Sequence, residues 1–160
     1  IGAGFLYVKK NKIKNLYPLC AADDPGKDDI RKFETLGTRP FFIEQAAHKA
    51  IEFYDMIGGK RKEQRLFYLK NYWMEKVKDV PNVRFGTSLK PEFGCAIGMV
   101  NIEGKNPGEF EIFLADHYSI HSVPIVWQNI KGVRITPNVY TTTKDLDVLV
   151  AGIKAFASKV

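Results

Sequence analysis

The sequence predicts an α+β fold: a small, largely antiparallel sheet with helices on one face, preceded by a strand, a long loop and two long helices. Three observations lead there. After residue 78 the apolar patterning runs strand, strand, helix, strand, strand, helix, the order of a compact α+β unit. Residues 123–136 hold two apolar, β-branched runs separated by a short polar break, which is a hairpin signature. Residues 38–57 and 60–78 place apolar side chains three and four apart, with no proline beyond a first turn. Each predicts one amphipathic helix.

The elements follow in order. Gly2-Ala3-Gly4-Phe5-Leu6-Tyr7-Val8 reads as a buried strand of a mostly parallel sheet. It has no Met and no charged n-region, so it is not a signal peptide, and the chain reads as the interior of a longer protein. Lys9 to Leu19 is a basic connector. Ala22-Asp23-Asp24-Pro25-Gly26-Lys27 is a turn signal, so 20–37 forms a loop. Thr38 is the expected N-cap of the next helix and Pro40 sits in its first turn. Ile43, Ala47, Ala50, Tyr54 and Ile57 give that helix an apolar stripe, and Gly58-Gly59 ends it. Lys60 to Lys78 is the second helix, with Leu66, Leu69, Trp73 and Val77 on one face and a basic first turn that opposes the helix dipole.

Beyond Pro81 the expected elements are a strand at Val83-Arg84-Phe85 and a longer one from Phe93 to Ile102. A helix from Pro107 to Tyr118 turns Phe110, Phe113 and Leu114 inward. Strands at 123–130 and 132–136 pair through a turn at Asn129 to Gly132. Thr142-Thr143-Lys144-Asp145 is a capping box opening a last helix with Leu146, Leu149, Val150, Ile153 and Phe156 at core spacing. The first eighty residues cannot close a core of their own.

Composition narrows the function. Apolar residues make up 45% and charged residues 26%, as in a globular protein. The formal charge of +6 is scattered, and its two dense runs, Lys9 to Lys14 and Lys60 to Arg65, lack the interleaved aromatics of a nucleic-acid surface. These runs read first as solvated faces, with attraction for small anions as the secondary reading. Cys20 and Cys95 have no ligand spacing and are expected as reduced, partly buried thiols in a cytosol-like compartment. No apolar run is long enough to span a bilayer. His117 and His121 lie four apart, but no third ligand is placed to complete a metal site. His48 reads as structural. No P-loop, G-x-S-x-G, H-E-x-x-H or dinucleotide fingerprint occurs in its proper context.

Two positions suit anions. In Gly132-Val133-Arg134-Ile135-Thr136-Pro137-Asn138-Val139-Tyr140, a strand would send Val133 and Ile135 to one face and Arg134 to the other. Such an Arg is commonly a plain surface residue, yet its planar fork can take a carboxylate or phosphate in two bonds. Thr38, after Gly37 at a helix start, offers a hydroxyl beside orphan N–H groups. Together they suggest a ligand with two anionic ends.

Three stretches in this order resemble the C-terminal part of the class V aminotransferase family. Ile1 to Val8 resembles the strand after that family's cofactor-binding lysine, and Glu34-Thr35-Leu36-Gly37-Thr38 resembles its E-x-x-G-T segment. Val133 to Thr142 with Asp145-Leu146-Asp147 resembles its closing R-[IVA]-[ST]-x-x-x-Y-[NT]-[ST] block. The nearest branch is that named for isopenicillin N epimerase. The resemblance implies pyridoxal 5′-phosphate as cofactor, the fold of the α/β PLP-transferases and an amino-acid substrate. It also implies a cytoplasmic homodimer as the full-length parent, with no nucleic acid or membrane as partner. It places Gly37 and Thr38 at the cofactor phosphate and Arg134 at the substrate carboxylate. It assigns residues 1–58 to the end of the large domain and 59–160 to a linking helix plus the small domain. The Schiff-base lysine would lie upstream of Ile1, so no catalytic residue is assigned and the chain alone is expected to be inactive. Cysteine desulfurases of the family carry a cysteine between the late small-domain helix and the Arg strand. Here Ser119 to Gly132 has none, and Cys95 reads as core, so sulfur transfer is not expected. Both anion positions should face one cleft in the assembled enzyme. A guanidinium in open solvent, on the side away from the long helices, would count against this reading. The alternative is a free-standing basic α+β module for an anionic partner or nucleic acid.

Overall fold

The computed structural model describes residues 4–35, 37, 38 and 40–159. The chain divides into two compact units, residues 1–56 and 57–160. Ahead of its one long helix, the first is irregular around a few local turns. Helix α1 (Lys10–Ile13) is a single turn in the basic connector. A 3-10 turn (Ile30–Phe33) is capped by Asp29, whose side chain accepts from the Arg31 backbone N–H at 2.9 Å. The Arg31 guanidinium holds the Asp29 carboxyl down at about 2. Lys32 is buried and donates to the Pro25 carbonyl at 2.9 Å, tying the loop to itself.

The expected strand over 2–8 is not found. Residues 4–8 carry no regular structure, Phe5 is 96% exposed, and Ile1 to Ala3 lie outside the described residues. A strand needs a neighbour for its backbone hydrogen bonds, and every described strand belongs to the second unit. Helix α2 (Phe42–Ile57) forms where its periodicity predicts but buries none of its residues. Of the expected stripe, Ile43 and Ile57 are half-buried, while Ala47, Ala50 and Tyr54 are exposed. With Phe41, Phe42, Ile51, Phe53 and Met56 also exposed, the helix presents a broad apolar surface.

The second unit has the core. Helix α3 (Gly59–Val77) starts one residue earlier than its sequence suggests, after Gly58 at φ 84°. Strands β1 (Val83–Phe85), β2 (Gly98–Ile102), β3 (Val123–Trp127) and β4 (Ile130–Ile135) form one sheet in the order β1-β2-β4-β3, every pair antiparallel. Helix α4 (Pro107–Tyr118) and helix α5 (Thr143–Ala157) complete the unit. Leu69, Trp73, Met74 and Val77 of α3, Phe110, Phe113 and Leu114 of α4, and Leu146, Leu149, Val150, Ile153 and Phe156 of α5 pack on Val83, Val100, Ile102, Val133 and Ile135 of the sheet. Burying a side chain of this size contributes about 1.5–3 kcal/mol.

Local chemistry fixes the ends of the helices. Asn106 caps α4, Pro107 is its first residue, and Ser119 closes it in a left-handed conformation. Thr142 and Asp145 make the reciprocal capping box of α5, at 3.2 and 2.8 Å. Between α3 and α5, the Tyr72 hydroxyl donates to Asp147 at 3.0 Å and Lys76 reaches the same oxygen at 2.5 Å.

Two strand expectations need correction. β2 begins at Gly98, not Phe93: Pro91–Phe93 is a 3-10 turn and 94–97 is irregular. Gly94 explains part of this, because a Cβ there would meet the Lys70 amine at 2.8 Å and the Ser88 carbonyl at 2.9 Å. The segment folds over a buried lysine instead of extending. Lys70 donates to that Ser88 carbonyl at 2.9 Å, and burial pushes its ammonium below the ordinary lysine range. The hairpin is present, but its turn is Gln128-Asn129, with Trp127 paired to Ile130 and Gln128 at φ 51°. Gly132, expected in the turn, is inside β4. A Cβ there would stand 2.7 Å from the Val100 carbonyl oxygen, so Gly132 serves the close approach of β2 and β4.

Candidate functional site

Arg134 is positioned by what surrounds it on β4. Val133 and Ile135 are buried against the helices, so alternation sends Arg134 to the outer face of the sheet. There it is exposed, with no ion pair or hydrogen bond among the described residues. Its side chain therefore lies on the side away from α3, α4 and α5. With respect to α3, that is the placement that counts against the pyridoxal phosphate reading, and its reason is the parity of the strand.

The outer face has its own character. Met99 of β2 and Val123 of β3 lie directly opposite Arg134, and both are half-buried. Ile125, opposite Gly132, is half-buried, and Trp127, opposite Ile130, is 67% exposed. The guanidinium thus stands free among apolar side chains. A delocalised fork with vacant donors in a partly apolar setting can take a carboxylate in two charge-assisted bonds. The two flanking positions were not singled out from the sequence. The hairpin register that pairs Val123 with Arg134 could have identified one of them.

Gly37 and Thr38 belong to the first unit, so the two anion-seeking positions are in different units. Gly37 has φ 71°, and Thr38 lies exposed at a bend. Thr38 is not the N-cap of α2, because the helix begins at Phe42. Pro40 and Phe41 occupy a turn before it, closed by the Ile43 N–H donating to the Pro40 carbonyl at 3.4 Å. Proline and two phenylalanines cannot offer the side-chain oxygen that would start the helix earlier. Leu36 and Arg39, which flank the pair, lie outside the described residues. The hydroxyl and backbone N–H groups of Gly37-Thr38 are donors of the kind a phosphate takes, and the Arg134 fork is of the kind a carboxylate takes. Each position fits its part of a pyridoxal phosphate site in donor chemistry.

The remaining candidates fall elsewhere. Cys20 and Cys95 are both exposed, against the expectation of partly buried thiols, and Cys95 is on the irregular 94–97 segment instead of in a strand. The His117 ring lies on Phe113 with centroids 4.5 Å apart, and its Nδ1 is 3.3 Å from the Phe113 carbonyl oxygen. His48 is exposed beside Glu52, with Nε2 at 3.0 Å from the carboxylate.

Neither a protein-family model nor a curated protein matches the sequence. Solved structures do. A cysteine desulfurase from Thermococcus onnurineus NA1 superposes with a TM-score of 0.83 at 17% identity, over 96% of this chain and 42% of that one. The fold is that of the C-terminal portion of the PLP-transferases. The cysteine desulfurase CsdA of Escherichia coli gives a TM-score of 0.70 at 16% identity, over 93% of this chain and 41% of that one. An alanine–glyoxylate aminotransferase from Nostoc sp. gives 0.60 at 16% identity, over 74% of this chain and 32% of that one. The chain spans less than half the length of each of these structures. Among the described residues no helix is long and apolar enough to cross a membrane.

Proposed function

We propose that this chain is the C-terminal portion of a pyridoxal phosphate-dependent enzyme of the class V aminotransferase type that acts on an amino acid. Residues 1–58 would end the large cofactor domain, and 59–160 would form the linking helix and small domain. The observation that carries the reading is the near-complete superposition of this chain on one portion of much longer enzymes, at a TM-score of 0.83 over 96% of its length. The exposed apolar surface of α2 and of Phe5, Leu6 and Tyr7 supports it, since such surface asks for cover.

In this reading Arg134 binds and orients the substrate α-carboxylate, and Gly37-Thr38 donates to the cofactor phosphate. When bound, the cofactor supplies an electron sink for carbanion chemistry. The protein's share is position: β4 is fixed between β2 and β3, so the guanidinium is held by a sheet instead of a loop. Its outward direction counts against this role unless the cleft lies on the sheet face opposite α3, α4 and α5. The parent would be a cytoplasmic homodimer. The isopenicillin N epimerase-like branch rests on the sequence stretches alone. Sulfur transfer is disfavoured: β3 and β4 join through a two-residue turn, and Ser119 to Gly132 has no cysteine. The independent core of residues 57–160 favours the rival reading, a basic module for an anionic partner.

Sedimentation at several concentrations and salt levels tests the choice. The enzyme-portion reading expects self-association that survives high salt, driven by apolar surface. A clean monomer that binds a polyanion such as heparin in a salt-sensitive way would overturn it. Borohydride reduction with pyridoxal phosphate should leave no stoichiometric adduct on any one lysine; such an adduct would refute the assignment of the Schiff-base lysine to a position upstream.

A further inference from the structure

The neighbours of Arg134 restrict what can accompany a carboxylate bound there. Met99 and Val123 lie directly opposite it on the two adjoining strands, and such partners share a face about 5 Å apart. The Met99 side chain rests over Gly86 and Gly132: a Cβ on Gly86 would run into its Cε, and one on Gly132 would stand 3.1 Å from its Cγ. Gly132 leaves the step beside Arg134 along β4 bare, and Ile125 is half-buried across from it. The guanidinium therefore has an apolar side chain on each flank.

The other outer-face cation on the four strands is Arg84 of β1, opposite Asn101. Two strand spacings and one same-face step separate it from Arg134, about 12 Å. Its guanidinium is already engaged, at 3.0 Å from Glu103 and 3.0 Å from the Val83 carbonyl oxygen. The carboxyl carbons of a four- or five-carbon dicarboxylate lie only about 4–5 Å apart. With one carboxylate on Arg134, the second would come within reach of Met99 and Val123, and the four strands place no second free cation at that distance.

Resting on the reading of Arg134 as the carboxylate anchor, we propose that the substrate is an amino acid with an uncharged, apolar side chain, and that Met99 is the specificity-determining wall. A thioether on three rotatable bonds, with two glycines beneath it, can shift to follow such a side chain.

The chain itself can be tested. It has three methionines, Met56, Met74 and Met99. With 13C-methyl methionine labelling, Met99→Leu assigns the reporter and buried Met74 is the internal control. 4-Methylpentanoate and glutarate are titrated separately, following the Met99 methyl and the Arg134 Nε–H. 4-Methylpentanoate should shift both resonances saturably, and Arg134→Gln should abolish the effect. Glutarate should bind at least tenfold more weakly. Equal or tighter binding of glutarate would overturn the substrate class while leaving the carboxylate anchor standing. A Met99 shift that persists in Arg134→Gln would reduce the effect to apolar contact and overturn the proposal. If neither acid moves either resonance, the anchor itself fails and the proposal falls with it.

Discussion

Gly98 in β2 and Gly86 just after β1, each with a side chain in the space its Cβ would need, should respond very differently to alanine. At Gly98 an added Cβ would stand 2.5 Å from Cζ2 and 3.3 Å from Cη2 of Trp73. That indole is fully buried and meets Phe85 edge-on at 6.0 Å, so it has no free direction in which to move. Overpacking a rigid core of this kind costs about 2 kcal/mol. At Gly86 the obstacle is Met99 Cε, the far end of a flexible side chain on the outer face. Met99 can rotate away, and the cost should stay below about 0.5 kcal/mol. Urea unfolding in a Trp127→Phe background isolates Trp73 fluorescence, because these are the chain's two tryptophans. With a slope of about 2 kcal/mol/M, Gly98→Ala should lower the midpoint by about 1 M, and Gly86→Ala should leave it nearly unchanged. Equal shifts in both variants, or none at Gly98, would refute the reasoning from side-chain freedom.

Other outcomes follow from the same structure. Ile153→Ala, at a site with no exposure, should cost about 3 kcal/mol and be visible as an early thermal transition by circular dichroism. Thr142→Ala should remove the α5 cap at about 1 kcal/mol in the same assay. Arg134→Gln should melt with the parent, since the side chain is exposed and has no described partner; a clear loss of stability would show that it has a structural partner. The pH response has a defined sign. Asp147 is held below its ordinary 3.8 by the Lys76 hydrogen bond and then that of Tyr72, and Asp145 is held below it by the Thr142 backbone N–H. Their stabilisation is complete above 3.8 and disappears as pH falls through the lower folded values. Lys76 is held above 10.5 by Asp147, so its contribution is complete below 10.5 and is lost as pH rises through the raised value. Thermal melts should therefore be flat between about pH 5 and 9 with respect to these groups. Asp147→Asn should melt lower at neutral pH and converge with the parent in acid.

The sequence exposes the second unit well because each of its signals is local. Pro107 after Asn106, and Thr142 three residues before Asp145, fix helix starts without tertiary help, and the core spacing of α5 reads directly from Leu146 to Phe156. The misreadings come where a distant partner decides. Phe93 to Ile97 has strand composition, but the buried Lys70 amine draws that segment over α3. Residues 4–8 have strand composition without a partner strand. Thr38 has the right type for a cap, while the helix waits for Phe42. Of the candidate site, the alternation around Arg134 was legible. The apolar flanks were not, because Met99 meets Arg134 through the β2–β4 pairing across 35 residues of chain, a register that no local signal specifies.

The two-residue Gln128-Asn129 link has a consequence for how the chain can vary. With so little slack, the facing of every β4 side chain is tied to that of β3 by counting alone. One extra residue absorbed as a register slip would turn Arg134 inward under the helices and push Val133 and Ile135 into water. Length changes here should therefore be tolerated in pairs, or when taken up as a bulge, and rejected singly. An odd-length graft into this hairpin is the sharpest way to silence the outer face while leaving the amino acids of the sheet unchanged.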